Sequence, residues 1–228
     1  MKKTMIMACA LAFLLCACGD NQTKDADGTT TTSTITLEKD GSIASKLVED
    51  FGTDYSEDGL KKLLDTSITA YQNLSDAAQV NLKNCEKNNK GKLVVEMTFN
   101  NSAAYAGWNN YLLDYMYASE MGLDSSGIEN NTEGFFAGTI SDAYSAGYSL
   151  ETTLNAVSDN SIKSSVTKSD LLGMGSNHIV ILARYADDDP IDIKCYDEIL
   201  YVGDGVTATG KRSANVSTTE GYGIIVFK

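Results

Sequence analysis

The stretch Leu15-Cys16-Ala17-Cys18 constrains this chain most, because it decides which residues belong to the fold at all. Lys2 and Lys3 open the chain with positive charge, Met5 to Leu15 form a short apolar run, and Ala17 stands before Cys18. That order matches a signal peptide cut before a cysteine, which then carries lipid as a thioether. The run is too short to span a bilayer, which takes about 20 apolar residues. Residues 1–17 are therefore expected to be removed, and Cys18 is the expected lipidation site. Cys16 replaces the usual Ala, Ser or Thr at its place and is small enough to fit.

Cleavage changes the rest of the reading. Of 228 residues, 211 remain after the first 17 are taken away. Lys2 and Lys3 go with them, which leaves 16 basic residues against 31 acidic ones and a net charge near −15. Nucleic-acid binding calls for a basic footprint, so it is excluded as a partner class. Anionic headgroups repel such a chain, so contact with the membrane is expected through the acyl chains. Cys9 and Cys16 are discarded and Cys18 is lipidated, leaving Cys85 and Cys195. They can bridge in an oxidising compartment or stay as two buried thiols.

Gly19 to Ser33 is polar and threonine-rich without apolar periodicity, the composition of a flexible tether. Fully extended, it reaches up to about 50 Å. Residues 34–228 form the expected extracellular domain, with a possible subdivision near 149–176. Ile35 and Leu37, a turn at Asp40-Gly41, and Ile43 to Val48 predict a β-hairpin. Leu60, Leu63, Leu64, Ile68 and Tyr71 recur at helical spacing, with Ser56 or Asp58 as cap. Val80–Glu86 and Lys92–Phe99 predict a strand pair across Asn88-Asn89-Lys90-Gly91. Ser102–Tyr117 predicts a helix despite Gly107. Phe135–Ile140 is a short strand before a helical turn at Ser141–Ala146. The stretch 149–176 is polar and weakly patterned. His178–Ala183, Ile191–Cys195, Ile199–Val202, Val206–Ala208 and Tyr222–Phe227 read as strands. Strands and helices do not alternate regularly, so the class is α+β: an N-terminal hairpin and helix packed on antiparallel strands, with a mostly β C-terminal part.

The chemical motifs are thin. Asp54 to Asp65 places oxygen ligands like a calcium loop with Gly59 at position 6. Lys61 stands where such loops carry an apolar residue, and a capped helix start explains the acids equally. Asp187-Asp188-Asp189-Pro190 is an acidic cluster between two predicted strands; clustered carboxylates can hold calcium, and more often they form an exposed turn before proline. Ser165-Val166-Thr167-Lys168 and Ser158-Asp159-Asn160 match two signatures of penicillin-binding enzymes in reversed order, and no K-T-G follows. His178 is the single histidine, so a Ser-His-Asp or Cys-His apparatus would have to use it. It opens an apolar strand, the pattern of a structural strand-end residue. No catalytic residue, metal ligand or cofactor is assigned. Tyr105, Trp108 and Tyr115, with Leu112 between, fall on one helical face. They are the candidate ligand-binding residues, since an aromatic platform can stack on sugars or peptide side chains, although such a stripe also packs cores.

Some residues carry a resemblance. Asp40-Gly41-Ser42-Ile43 followed by Val48-Glu49-Asp50-Phe51 resembles the opening of uncharacterised lipoproteins from Gram-positive anaerobic, Clostridia-type bacteria. Phe136-Ala137-Gly138-Thr139-Ile140, Ser141-Asp142-Ala143 and Gly147-Tyr148 are similar to their middle. Ile199-Leu200-Tyr201-Val202 and Tyr222 to Lys228 are similar to their C-terminal strands. Met121–Thr132 and Thr152–Asp170 have no counterpart. The resemblance implies a tethered extracellular domain at the cell membrane and carries no activity. The expectation is a non-catalytic binding or interaction domain with an unknown protein or glycan partner. The alternatives are an envelope hydrolase using acidic residues, which needs a cleft with two carboxylates, or a scaffold subunit of an envelope complex.

Overall fold

The computed structural model describes residues 32–50, 56–74, 78–121, 134–150, 153–157, 166–183, 190–217 and 221–228, with the backbone alone for 113–121. The signal segment, Cys18, most of the tether and the triple aspartate at 187–189 lie outside the described residues. The described chain is α+β and mostly β, with twelve strands and four helices. In chain order these are β1 (Thr34–Leu37), β2 (Ile43–Asp50), α1 (Glu57–Leu74), β3 (Val80–Lys87), β4 (Lys92–Phe99) and α2 (Ser102–Met121). Then come β5 (Phe135–Thr139), α3 (Ile140–Ser145), β6 (Asn155–Ala156), α4 (Lys168–Gly173) and β7 (His178–Ala183). The C-terminal part adds β8 (Ile191–Lys194), β9 (Ile199–Val202), β10 (Val206–Gly210), β11 (Ser213–Val216) and β12 (Tyr222–Phe227).

Two sheets result. The larger has seven strands in the order β10-β11-β8-β1-β2-β4-β3, and the smaller has five in the order β5-β7-β12-β9-β6. The β1–β8 pair is parallel and the other pairs are antiparallel. The predicted N-terminal hairpin is present, with Leu37 opposite Ile43. Its turn needs Gly41 at φ 86°, and the β3–β4 turn needs Gly91 at φ 76°. Both values lie in the left-handed region that a residue without a β-carbon enters freely.

The pleat of the larger sheet sorts its residues into two rows. Ala208, Ala214, Ile193, Ile35, Ser45, Met97 and Leu82 stand side by side across seven strands. This row faces the main core, where Ile35, Ile193 and Ala214 are fully buried. One residue along, Thr207, Asn215, Asp192, Thr34, Lys46, Glu96 and Asn84 form a wholly polar row on the other face. Lys46 pairs with Glu96 at 3.3 Å, and Asn215 donates to Asp192 at 2.9 Å. The alternation read in β1 is therefore the signature of one buried and one polar face.

The smaller sheet is covered on both faces, which explains the continuous apolar runs of β7 and β12. Val180, Leu182, Ile225 and Phe227 join the main core with α1, α2 and the larger sheet. Ile179, Ile181, Ile224 and Val226 face the other way into a second core, closed by Ile140, Ala143, Leu150, Leu154, Val166 and Leu171. Thus the polar stretch after residue 149 contributes its few apolar residues to that second layer. Helix α4 and strand β11 were not expected from the sequence; each is short and carries only two or three apolar residues.

Edge strands are each blunted. β3 and β10 carry a register irregularity, and β6 is two residues long. In β5, the Ala137 carbonyl accepts from Ser102 Oγ at 2.8 Å, while the Thr139 N–H donates to the Asp142 carboxylate.

Candidate functional site

The aromatic stripe on α2 is placed first by its burial. Trp108 is 2% exposed and Tyr105 is 8% exposed. Tyr105 lies edge-on to Phe99 and Phe135, at centroid distances of 5.0 and 4.7 Å. Trp108 packs against Tyr71 of α1 and Tyr111. These rings are occupied by one another inside the main core, so neither offers an open platform. The Tyr115 side chain lies outside the described residues.

His178 opens β7 as the sequence suggested. Its ring stacks on Phe227 at 5.4 Å and meets Tyr196 edge-on at 5.4 Å. Among the described residues its buried Nδ1 has no hydrogen-bond partner, whereas a triad histidine needs both nitrogens held in place. Cys85 and Cys195 are free and buried. Burial pushes the Cys85 thiol up and the Cys195 thiol up to about 12, the opposite of what an attacking thiolate requires. Ser56 caps α1, accepting from the Gly59 N–H at 3.1 Å. Asp54 of the calcium-like loop lies outside the described residues, as do Ser158–Asn160 and Ser165. Among the described residues no group of three or more His, Cys, Asp or Glu side chains is placed to hold a metal ion.

A different aromatic cluster lies on the outer layer of the smaller sheet, and the sequence reading did not single it out as a site. Alternation in β5 turns Phe136 outward, away from Phe135 and Ala137, which pack toward the main core. Tyr222 begins β12 and is 44% exposed. Between them comes Tyr148, delivered by the end of α3. There Gly147 takes φ 89°, its N–H donates to the Tyr144 carbonyl at 3.0 Å, and the Tyr148 N–H donates to the Ala143 carbonyl at 3.1 Å. This pair of bonds around a left-handed glycine is the Schellman C-cap, which folds the next residue back over the helix. Tyr148 consequently meets Phe136 at 5.3 Å and Tyr222 at 6.4 Å.

The support beneath is specific. Thr139 and Asp142 form a capping box at the start of α3, and Thr167 and Asp170 form a second at the start of α4. Each carboxylate is held below its ordinary range, first by the threonine hydroxyl and then by the threonine backbone N–H. The first two N–H groups of α3 donate to the carbonyls of Asn177 and Gly175, so the helix start has no free donors for an anion. Tyr144 reaches the Lys168 carbonyl at 3.4 Å and ties α3 to α4. Tyr144, Tyr201 and Met174 are partly buried against the same layer, and Leu172 stands 57% exposed on α4. Partly exposed rings of this kind offer faces and phenol hydroxyls for stacking and hydrogen bonding. The period-2 pattern of β5 and β12 was the available signal, since it places Phe136 and Tyr222 on one face.

No family model and no curated protein matches the chain. Among solved structures, the NMR structure of the folded domain of LppM from Mycobacterium tuberculosis is similar at 6% identity. The match covers 86% of this chain and 86% of that one, with a TM-score of 0.33, too slight a likeness to carry an argument. No helix among the described residues is long and apolar enough to cross a membrane.

Proposed function

We propose that this protein is a lipid-anchored extracellular lipoprotein whose folded domain contacts a partner without catalysing a reaction, using the face built by Phe136, Tyr148 and Tyr222. The observation that carries the reading is that ring cluster, left half-open on a layer that two capped helices hold in place. Exposed aromatic surface with polar tips suits contact with a protein or a glycan. The anchor rests on Leu15-Cys16-Ala17-Cys18 and on the polar tether behind it. Phe136, Tyr148 and Tyr222 each fall in one of the segments that resemble Clostridia-type lipoproteins, alongside others such as Asp40–Ile43 and Ile199–Val202 that lie elsewhere in the fold.

Two measurements test it. Cells expressing the chain are grown with a labelled fatty acid. Label is expected in the wild type and absent in Cys18→Ala, and an unlabelled wild type would remove the anchor. Binding to isolated envelope glycan and to intact cells is then compared for wild type and Tyr148→Ala/Tyr222→Ala, with thermal unfolding as the control for folding. A tenfold or greater loss of binding is expected. Full binding by the double variant would remove this face from the proposal.

A further inference from the structure

Strands β10 and β3 end the larger sheet, and β5 and β6 end the smaller. An edge strand offers a row of unpaired N–H and C=O groups, and proteins close that row where pairing with another chain is unwanted. At β3, Gln72 of α1 donates to the Val80 carbonyl at 2.9 Å, and Glu57 accepts from the Lys87 N–H at 3.2 Å. Ser102 and Asp142 occupy the edge of β5, and β6 is two residues long. Strand β10 differs. The Ser217 N–H donates to the Gly205 carbonyl at 2.9 Å, so Gly205 faces β11, as does Thr207 opposite Asn215. By alternation, Val206 and Ala208 turn their backbone groups away from the sheet. The Val206 N–H bends back to the Gly203 carbonyl at 3.3 Å. Among the described residues, nothing bonds the Val206 carbonyl or the Ala208 N–H and carbonyl on that side. The bulge in β10 falls after Ala208, so Val206–Ala208 keep a regular pleat. Thr207, Thr209 and Gly210 are exposed, and the strand carries no charge to repel a neighbour.

We infer that β10 pairs with β10 of a second copy of this chain, antiparallel about a two-fold axis at Thr207. That register sets Val206 opposite Ala208 of the other copy, so the outward groups of each strand meet those of its partner. A contact of a strand with itself is self-complementary, so it closes at two copies and does not grow into a fibre. The charges flanking the strand fit the same register. Asp204 precedes β10, Lys211 and Arg212 follow it, and all three are exposed. Antiparallel overlap brings Asp204 opposite Gly210 of the other copy, beside its Lys211 and Arg212, and the two-fold axis repeats this at the other end. A parallel pair would set like charges together instead. Lys211 also lies near enough to Glu198 to favour its charged form. Arg212 pairs with no acid among the described residues, which makes it the main partner for Asp204. The net charge of −13 on each copy opposes association, but exposed charges more than about 8 Å apart are screened at physiological salt. So short a paired segment makes a weak, reversible dimer.

The experiment is disulfide trapping of Thr207→Cys in cells that express the full chain. At the axis the two copies of residue 207 form a non-hydrogen-bonded pair with Cα atoms about 4.5 Å apart, within disulfide reach. Mild oxidation should give a cross-linked dimer at several-fold the yield of Asn81→Cys, which is exposed on the β3 edge and retains the same native cysteines. Adding Asp204→Lys should lower the yield several-fold, and adding Arg212→Glu to that variant should restore it. Ala208→Pro removes an N–H that no strand of the sheet uses, and it should abolish the dimer, with the unfolding midpoint as the control for folding. A yield no higher than that of Asn81→Cys would overturn the pairing. So would a Thr207→Cys dimer that neither Ala208→Pro nor Asp204→Lys diminishes. Loss with Asp204→Lys that Arg212→Glu fails to rescue would overturn the two-fold register.

Discussion

The hydroxyl of Tyr71 on α1 occupies the space that a β-carbon on Gly107 of α2 would need. It donates to the Ala104 carbonyl at 3.3 Å, one turn earlier on α2. Glycine in a helix interior costs about 1 kcal/mol relative to alanine, so Gly107 reads as a weakness from sequence alone. In the fold it lets two helices approach closely enough for Tyr71 to reach the α2 backbone and for its ring to meet Trp108 at 5.7 Å.

Gly107→Ala should therefore destabilise the protein by about 1–3 kcal/mol, the range for overpacking, against its helix propensity. Tyr71→Phe removes the atom that clashes. In that background Gly107→Ala should be near neutral or stabilising, a coupling that a double-mutant cycle measures. Equal and additive effects in both backgrounds would show that the close approach is not the reason for the glycine.

The two capping boxes give the second prediction. Asp142 and Asp170 have folded-state pKa values below the ordinary 3.8. A depressed carboxylate contributes stability that is full above the unfolded value and is lost as pH falls through the folded one. The outer layer should thus loosen below about pH 4. Asp142→Asn/Asp170→Asn should be less stable at pH 7 and lose less on acidification, read as the urea midpoint against pH. Identical pH profiles for variant and wild type would rule out the carboxylates as the source.

The buried thiols give the third. Cys85 and Cys195 are free, and burial makes both harder to ionise, Cys195 up to about 12. A thiol reagent at pH 8 should leave Cys195 unmodified in the native protein and modify both after unfolding. A reducing agent should not shift the unfolding midpoint. Rapid native labelling of Cys195, or a midpoint lowered by reductant, would contradict this account.

Period and turn chemistry made much of the fold legible. The alternation of Ile35 and Leu37, the glycines at 41 and 91, and the helical spacing from Leu60 to Tyr71 each depend on neighbours within a few residues. What stayed hidden depends on distant partners. Strand β11 has only Ala214 and Val216 to announce it, and both are fully buried because β8 and β10 flank them. Helix α4 rests on Leu171 and one capping box. The burial of Tyr105 and Trp108 was hidden for the same reason. A helical aromatic stripe and an open aromatic face look alike in sequence, and only the packing of α1 on α2 shows that Tyr105 and Trp108 belong inside. Phe136, Tyr148 and Tyr222 are 86 residues apart from first to last, and sheet pairing together with the Gly147 cap brings them together.

Trp108 offers a direct check on that distinction, since it is the single tryptophan of the chain. At 2% exposure its emission should be shifted to shorter wavelength than that of the unfolded chain. It should also be insensitive to a dissolved quencher such as iodide. Trp108→Ala should cost about 3–5 kcal/mol, as for other large aromatic truncations in cores, because Tyr71 and Tyr111 lose their shared neighbour. Tyr222→Ala, at the open face, should change stability by no more than about 0.5 kcal/mol while weakening partner binding. The opposite pattern, with Trp108 quenched in the native state and tolerant of truncation, would return the binding surface to α2.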